Sequence, residues 1–103
     1  MRYLGALRGE GTLRCGEETL APAEYDVDGF LVPPGGVAAS GEIRVEANVL
    51  RRVFGRKDLQ LVTEGGRLLS LRFTEKKLGA EGGAAHIDVT AGLPSAKDWR
   101  QAS

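Results

Sequence analysis

The chain has 103 residues, with 14 basic and 14 acidic side chains and therefore no net charge. That length is one domain's worth. By surface-to-volume scaling roughly two-thirds of the extended chain's surface is buried on folding, enough for one core without disulfide or metal. The neutral total argues against a general nucleic-acid coat and against a membrane-surface protein, both of which are usually clearly basic.

Fifteen glycines and four prolines punctuate the chain. The segments between them mostly alternate apolar and polar residues, the pattern of many short antiparallel strands. Arg2 to Arg8 reads as a first strand, Gly9-Glu10-Gly11 as a turn, and Thr12 to Cys15 as a second strand with Leu13 and Cys15 on one face. After a turn at Gly16-Glu17-Glu18, Ala23 to Asp28 alternates, with Tyr25 and Val27 opposed to Glu24, Asp26 and Asp28. Gly29 is expected to bend or end that strand. Phe30-Leu31-Val32 then runs into the turn signal Pro33-Pro34-Gly35-Gly36, and as an exposed edge it would offer pairing to a second copy.

Glu42 to Glu46 alternates again, with Ile43 and Val45 inward. The period then becomes helical, because Val45, Val49 and Val53 are four apart, as are Leu50 and Phe54. The spacing predicts one short helix near residues 48–54, capped by Asn48, stopped at Gly55, and tucking Leu50, Val53 and Phe54 under the sheet. Next, Asp58 to Glu64 and Arg67 to Glu75 flank Gly65-Gly66, which suits a two-residue hairpin turn. A loop at 79–83 precedes a last strand, His86 to Thr90, with Ile87 and Val89 inward. The tail reads as one helical turn, with Ser95 and Asp98 at capping-box spacing and Trp99 closing the core.

The fold class is therefore mainly β: one domain over 1–103, a small and partly open antiparallel barrel of about six to eight short strands, plugged by the helix and the tail. A two-layer sandwich is the alternative. Cys15 is the only cysteine, so no intrachain disulfide can form and a reducing compartment fits. The opening MRYLGALRGEG is broken by Gly5 and Arg8 and does not read as a signal peptide, and no segment has the apolar length to span a membrane. The expected location is cytoplasmic.

Charge is unevenly spread. From Cys15 to Ile43 there are six acidic residues and no basic one, while Arg44 to Lys77 holds nine basic and four acidic residues. The simplest arrangement pairs the carboxylate row Glu24, Asp26 and Asp28 with arginines of the basic segment across neighbouring strands.

Chemistry-bearing motifs are sparse. His86 is the only histidine, and Asp88 shares its strand face, so the pair is the one candidate for metal ligation or general-base work, although zinc needs a third protein ligand. Asp26-Val27-Asp28-Gly29 fails the calcium-loop spacing. No serine elbow and no phosphate loop is present. The best candidate ligand-binding group is Arg51, Arg52, Arg56 and Lys57, since arginines on a short helix over a β scaffold grip phosphate or carboxylate in two-pronged fashion. The leading expectation is a non-catalytic module for an anionic small ligand or a protein partner, a second copy included, with no cofactor. A single-stranded nucleic-acid barrel using the same cations is the next reading. It needs exposed aromatics, and the alternation turns most of them inward. A metal or enzymatic site at His86 and Asp88 is the third.

Overall fold

A computed structural model describes residues 2–76 and 83–99. Its elements in chain order are β1 (Arg2–Cys15), β2 (Glu18–Val32), β3 (Gly36–Arg44), α1 (Ala47–Val53), β4 (Leu59–Val62), β5 (Leu68–Phe73) and β6 (Ala84–Ala91). The strands form a closed antiparallel barrel in the order β1-β2-β3-β6-β5-β4. Two three-stranded meanders, β1-β2-β3 and β4-β5-β6, are joined by α1. Antiparallel pairing of β3 with β6 and of β1 with β4 seals the seams.

The barrel closes fully, where a partly open one was expected, and it has fewer and longer strands at its start. Gly9-Glu10-Gly11 is not a turn, because β1 runs straight through it, paired to Tyr25, Glu24 and Ala23 of β2. A Cβ on Gly11 would lie 2.1 Å from the Val62 carbonyl oxygen, so this glycine is what lets β4 approach β1 and close the seam. Gly29 likewise does not end β2. It is buried beneath the Trp99 ring, whose carbons lie 2.2 Å from where its Cβ would stand. Phe30-Leu31-Val32 is not an edge either. Leu31 is opposed by Arg2 on one side and Val37 on the other, and closure leaves no free strand there.

Alternation fills the interior. Leu7, Leu13 and Cys15 of β1 meet Tyr25, Val27, Ile43, Leu59, Leu61, Leu69, Leu71, Ile87 and Val89, and among the described residues no polar or charged side chain is buried. Helix α1 adds Leu50 and Val53 to this core and leaves Arg51 and Arg52 exposed. Phe54 is only half-buried, and its ring rests on Phe73 with centroids 4.8 Å apart. Glu46, not Asn48, occupies the N-cap position and makes no side-chain capping bond. The Asn48 amide is turned instead between Glu46 and Arg51. Gly55 stops the helix at φ +84°.

The β4–β5 hairpin has a three-residue loop, Glu64-Gly65-Gly66, instead of two. Thr63 N–H donates to the Arg67 carbonyl at 2.8 Å, Gly66 N–H donates to the Thr63 carbonyl at 2.9 Å, and Gly66 takes φ +89°. In the tail the Asp98 N–H donates to Ser95 Oγ at 3.2 Å, as the capping-box spacing implies, and Trp99 is fully buried. The expected 79–83 loop, apart from Gly83, lies outside the described residues. Among the described residues no helix is long and apolar enough to cross a membrane.

Candidate functional site

The four predicted cations do not act as one group. Arg51 and Arg52 stand on the exposed side of α1, and Arg51 donates to the Asn48 side chain. Arg56 and Lys57 follow the Gly55 stop, and there the chain turns them towards β5. They line a pocket of about 380 Å³ together with Arg72, Glu75, Leu71 and Phe73. Arg72 was not singled out by the sequence, where it reads as one more outward position of an alternating strand.

Ion pairs hold the two guanidiniums in place. Arg56 Nε and Nη2 meet the two Asp58 carboxylate oxygens at 2.9 and 2.7 Å, and Arg72 Nη2 meets Asp88 at 3.0 Å. Each keeps further N–H donors, since a guanidinium carries five. Asp58 is held below the usual carboxylate range by its hydrogen bond from Arg56. Among the described residues Lys57 enters no ion pair.

A second concavity, of about 390 Å³, lies on the other side of Arg72, between Phe30, Ala38, Ser40, Asp88 and Thr90. Arg72 and Thr90 line both cavities. Thr90 sits where the β5–β6 register slips from Ser70↔Ala91 to Leu71↔Val89, so it is the extra residue of a bulge, and its hydroxyl donates to the Ser70 carbonyl at 3.3 Å. Bulges of this kind re-aim side chains and occur beside binding sites more often than chance.

The aromatics correct the inward expectation. Only Tyr25 and Trp99 are buried. Tyr3 is 55% exposed and opposes Phe30 across the outer face of β1 and β2, with ring centroids 5.4 Å apart. Its hydroxyl donates to Asp28 at 2.8 Å, and that bond raises the phenol's pKa. Of the acidic row, Glu24 stands opposite Arg44 of the basic segment across β2 and β3, whereas Asp26 pairs with Arg8 of β1 at 2.9 Å. Arg44 bonds to its own-strand neighbour Glu42 at 3.0 Å.

His86 and Asp88 share a face as predicted but take different partners. Asp88 belongs to Arg72. His86 Nδ1 lies 3.0 Å from Glu75 Oε1, which also accepts the His86 backbone N–H at 2.7 Å, while Nε2 is 3.9 Å from Glu42. The two carboxylates flank opposite ring nitrogens, so no single ion reaches all three groups, and among the described residues no three such side chains are placed to hold a metal. The backbone bond from His86, followed by the ring, pulls Glu75 below its ordinary pKa. Cys15 is buried in the core, and burial raises its thiol's pKa. No protein-family model matches the chain, and no curated protein or solved structure matches it either.

Proposed function

We propose that the protein is a non-catalytic binding module for a small anion that carries an apolar part, held in the pocket of Arg56, Lys57 and Arg72. The observation that carries this reading is the convergence of Arg56 and Lys57, from the segment after α1, with Arg72 of β5 around one pocket that Leu71 and Phe73 also line. The volume is in the range of small-molecule sites, which combine an apolar lining with a few fixed polar groups. Arg56 and Arg72 are oriented by their carboxylate partners before any ligand arrives, which lowers the ordering cost of binding.

The test is an amide-resonance titration with inorganic phosphate and with phenyl phosphate. Phenyl phosphate is expected to bind more tightly and to move Lys57, Arg72 and Phe73, and Lys57→Glu is expected to abolish both responses. Shifts scattered over the surface, or none, would overturn the reading.

A second reading, self-association, is favoured by the charge split between the two halves. Residues 1–46 carry four basic and eight acidic side chains, and residues 47–103 carry ten and six. The acidic meander of one copy complements the basic half of another. Sedimentation at low and high salt tests it, with association expected only at low salt.

A further inference from the structure

We infer that the facing glycines Gly5 and Gly29 form a seat for a flat, uncharged fused aromatic ligand, and that the segment 93–99 is a strap that closes this seat by placing Trp99 in it. The seat shares no residue with the anion pocket, and the inference stands apart from that reading. Gly5 and Gly29 are partners across β1 and β2, just after the register slip at Tyr3. The next pair inward, Leu7 and Val27, is buried with full side chains, whereas the two glycines leave a strip of bare backbone. The indole lies along that strip. Its Nε1 is 3.3 Å from where a Gly5 Cβ would stand, and its Cζ2 and Cη2 are each 2.2 Å from where a Gly29 Cβ would stand. A side chain at position 29 would displace the ring, so the strip has the length and flatness of two fused rings.

Trp99 fills the strip imperfectly. The side chain is 1% exposed, yet its N–H finds no acceptor among the described residues. A donor buried without a partner opposes its own burial. The strap is also lightly held. Its hydrogen bonds run within it, from Ser95 Oγ to Asp98 at 2.9 Å and from the Asp98 N–H back to Ser95. Among the described residues no hydrogen bond or ion pair joins it to the barrel, so Leu93, Pro94 and Trp99 hold it by packing.

The barrel does not depend on the strap for its continuity. Its six strands close on one another, and β1 and β2 are paired on both sides of Gly5 and Gly29. Withdrawal of the strap therefore opens one place and leaves the sheet intact, a local opening of the kind from which ligand-binding lids are drawn. What enters must match what leaves, and what leaves is a flat, uncharged, two-ring aromatic.

The experiment uses nitrogen-15-labelled protein, in which Trp99, the only tryptophan, gives a single indole N–H resonance. Without ligand, that N–H is expected to exchange with solvent about tenfold or more faster than the slowest amides of β1 and β2, because the strap opens more often than the barrel. Titration with unlabelled indole is expected to move the Trp99 ring N–H and the Gly5 and Gly29 amides together. Cyclohexanol, apolar but not flat, is expected to leave them in place. Trp99→Ala removes the competitor and is expected to raise the affinity for indole about tenfold or more, since the seat is then open in every molecule. Adding Gly29→Ala to that variant puts a methyl in the seat and is expected to abolish binding. Ring exchange no faster than the slowest amides, a parent that does not respond to indole, or an equal response to cyclohexanol would overturn the inference. So would equal indole affinity in the parent and Trp99→Ala, or binding that survives Gly29→Ala. Should Trp99→Ala not fold, the exchange and titration measurements on the parent decide the matter.

Discussion

Trp99 and Gly29 show how a pair of residues far apart in the chain sets local packing. The indole is 1% exposed, and its six-membered ring occupies the space that any side chain at position 29 would need. Its N–H finds no acceptor among the described residues, so packing alone keeps it in place. Trp99→Ala is expected to cost about 3–5 kcal/mol by the usual penalty for emptying an aromatic site, read by urea unfolding. Gly29→Ala is expected to cost about 1–3 kcal/mol through overpacking. The double variant is expected to be more stable than the sum of the two predicts, since removing the indole makes room for the methyl, and strict additivity would refute the contact. A second residue-scale expectation concerns acid. The folded protein holds Glu75 below its ordinary value, so the glutamate contributes stability that is fully present above about pH 4.5 and is lost as pH falls through the lower, folded value. Glu75→Gln is therefore expected to flatten the fall in stability between about pH 5 and about pH 3, and unfolding curves of the two proteins with the same acid slope would count against the His86–Glu75 bonds.

Among the elements, the alternation of Leu59 with Leu61, Leu69 with Leu71 and Ile87 with Val89 marked three strands directly in the sequence, and the change of period after Val45 marked α1. What misled was glycine. In a linear reading Gly9, Gly11 and Gly29 look like breaks, because glycine is common in turns, and only the barrel shows what fills each missing side chain's place: the Glu64 carboxylate and Tyr25 hydroxyl at Gly9, the Val62 backbone at Gly11 and the Trp99 ring at Gly29. Register was equally hidden: the three-residue loop at Glu64 to Gly66 and the bulge at Thr90 depend on which strands meet. Gly11→Ala tests this account, because its methyl would meet the Val62 carbonyl and push β4 off β1. Amides of Thr12 to Cys15 and Leu59 to Val62, which pair across this seam, are expected to lose hydrogen-exchange protection. Those of β2 and β3 keep theirs. Uniform loss over the whole barrel, or none, would contradict a local role in closure.

At the scale of the whole molecule, the candidate site was half legible. Arg56 and Lys57 stood out as part of a basic run, but their companion Arg72 lies on another strand, and the bulge that joins the two cavities has no local signature. The charge run answers the acidic strands only at Arg44, which stands opposite Glu24 and pairs with Glu42, while Asp26 is answered by Arg8 of β1. On the outer face of β1 to β3, Glu10 stands opposite Glu24 and Asp26 opposite Glu42, so carboxylates meet in register even though Arg8 pairs with Asp26, Arg44 pairs with Glu42 and Arg44 also stands opposite Glu24. Like charges in register cost stability unless something offsets them. If the basic half of a second copy offsets them, a variant with Glu10→Lys and Glu24→Lys and a variant with Arg51→Glu and Arg52→Glu are each expected to stay monomeric in sedimentation at low salt. Mixed together, they are expected to form a one-to-one complex, because each retains the face the other has lost. The complex should dissolve at about 1 M salt, where screening acts over roughly 3 Å. A mixture that sediments as two monomers would assign the split charge to solubility within a single chain.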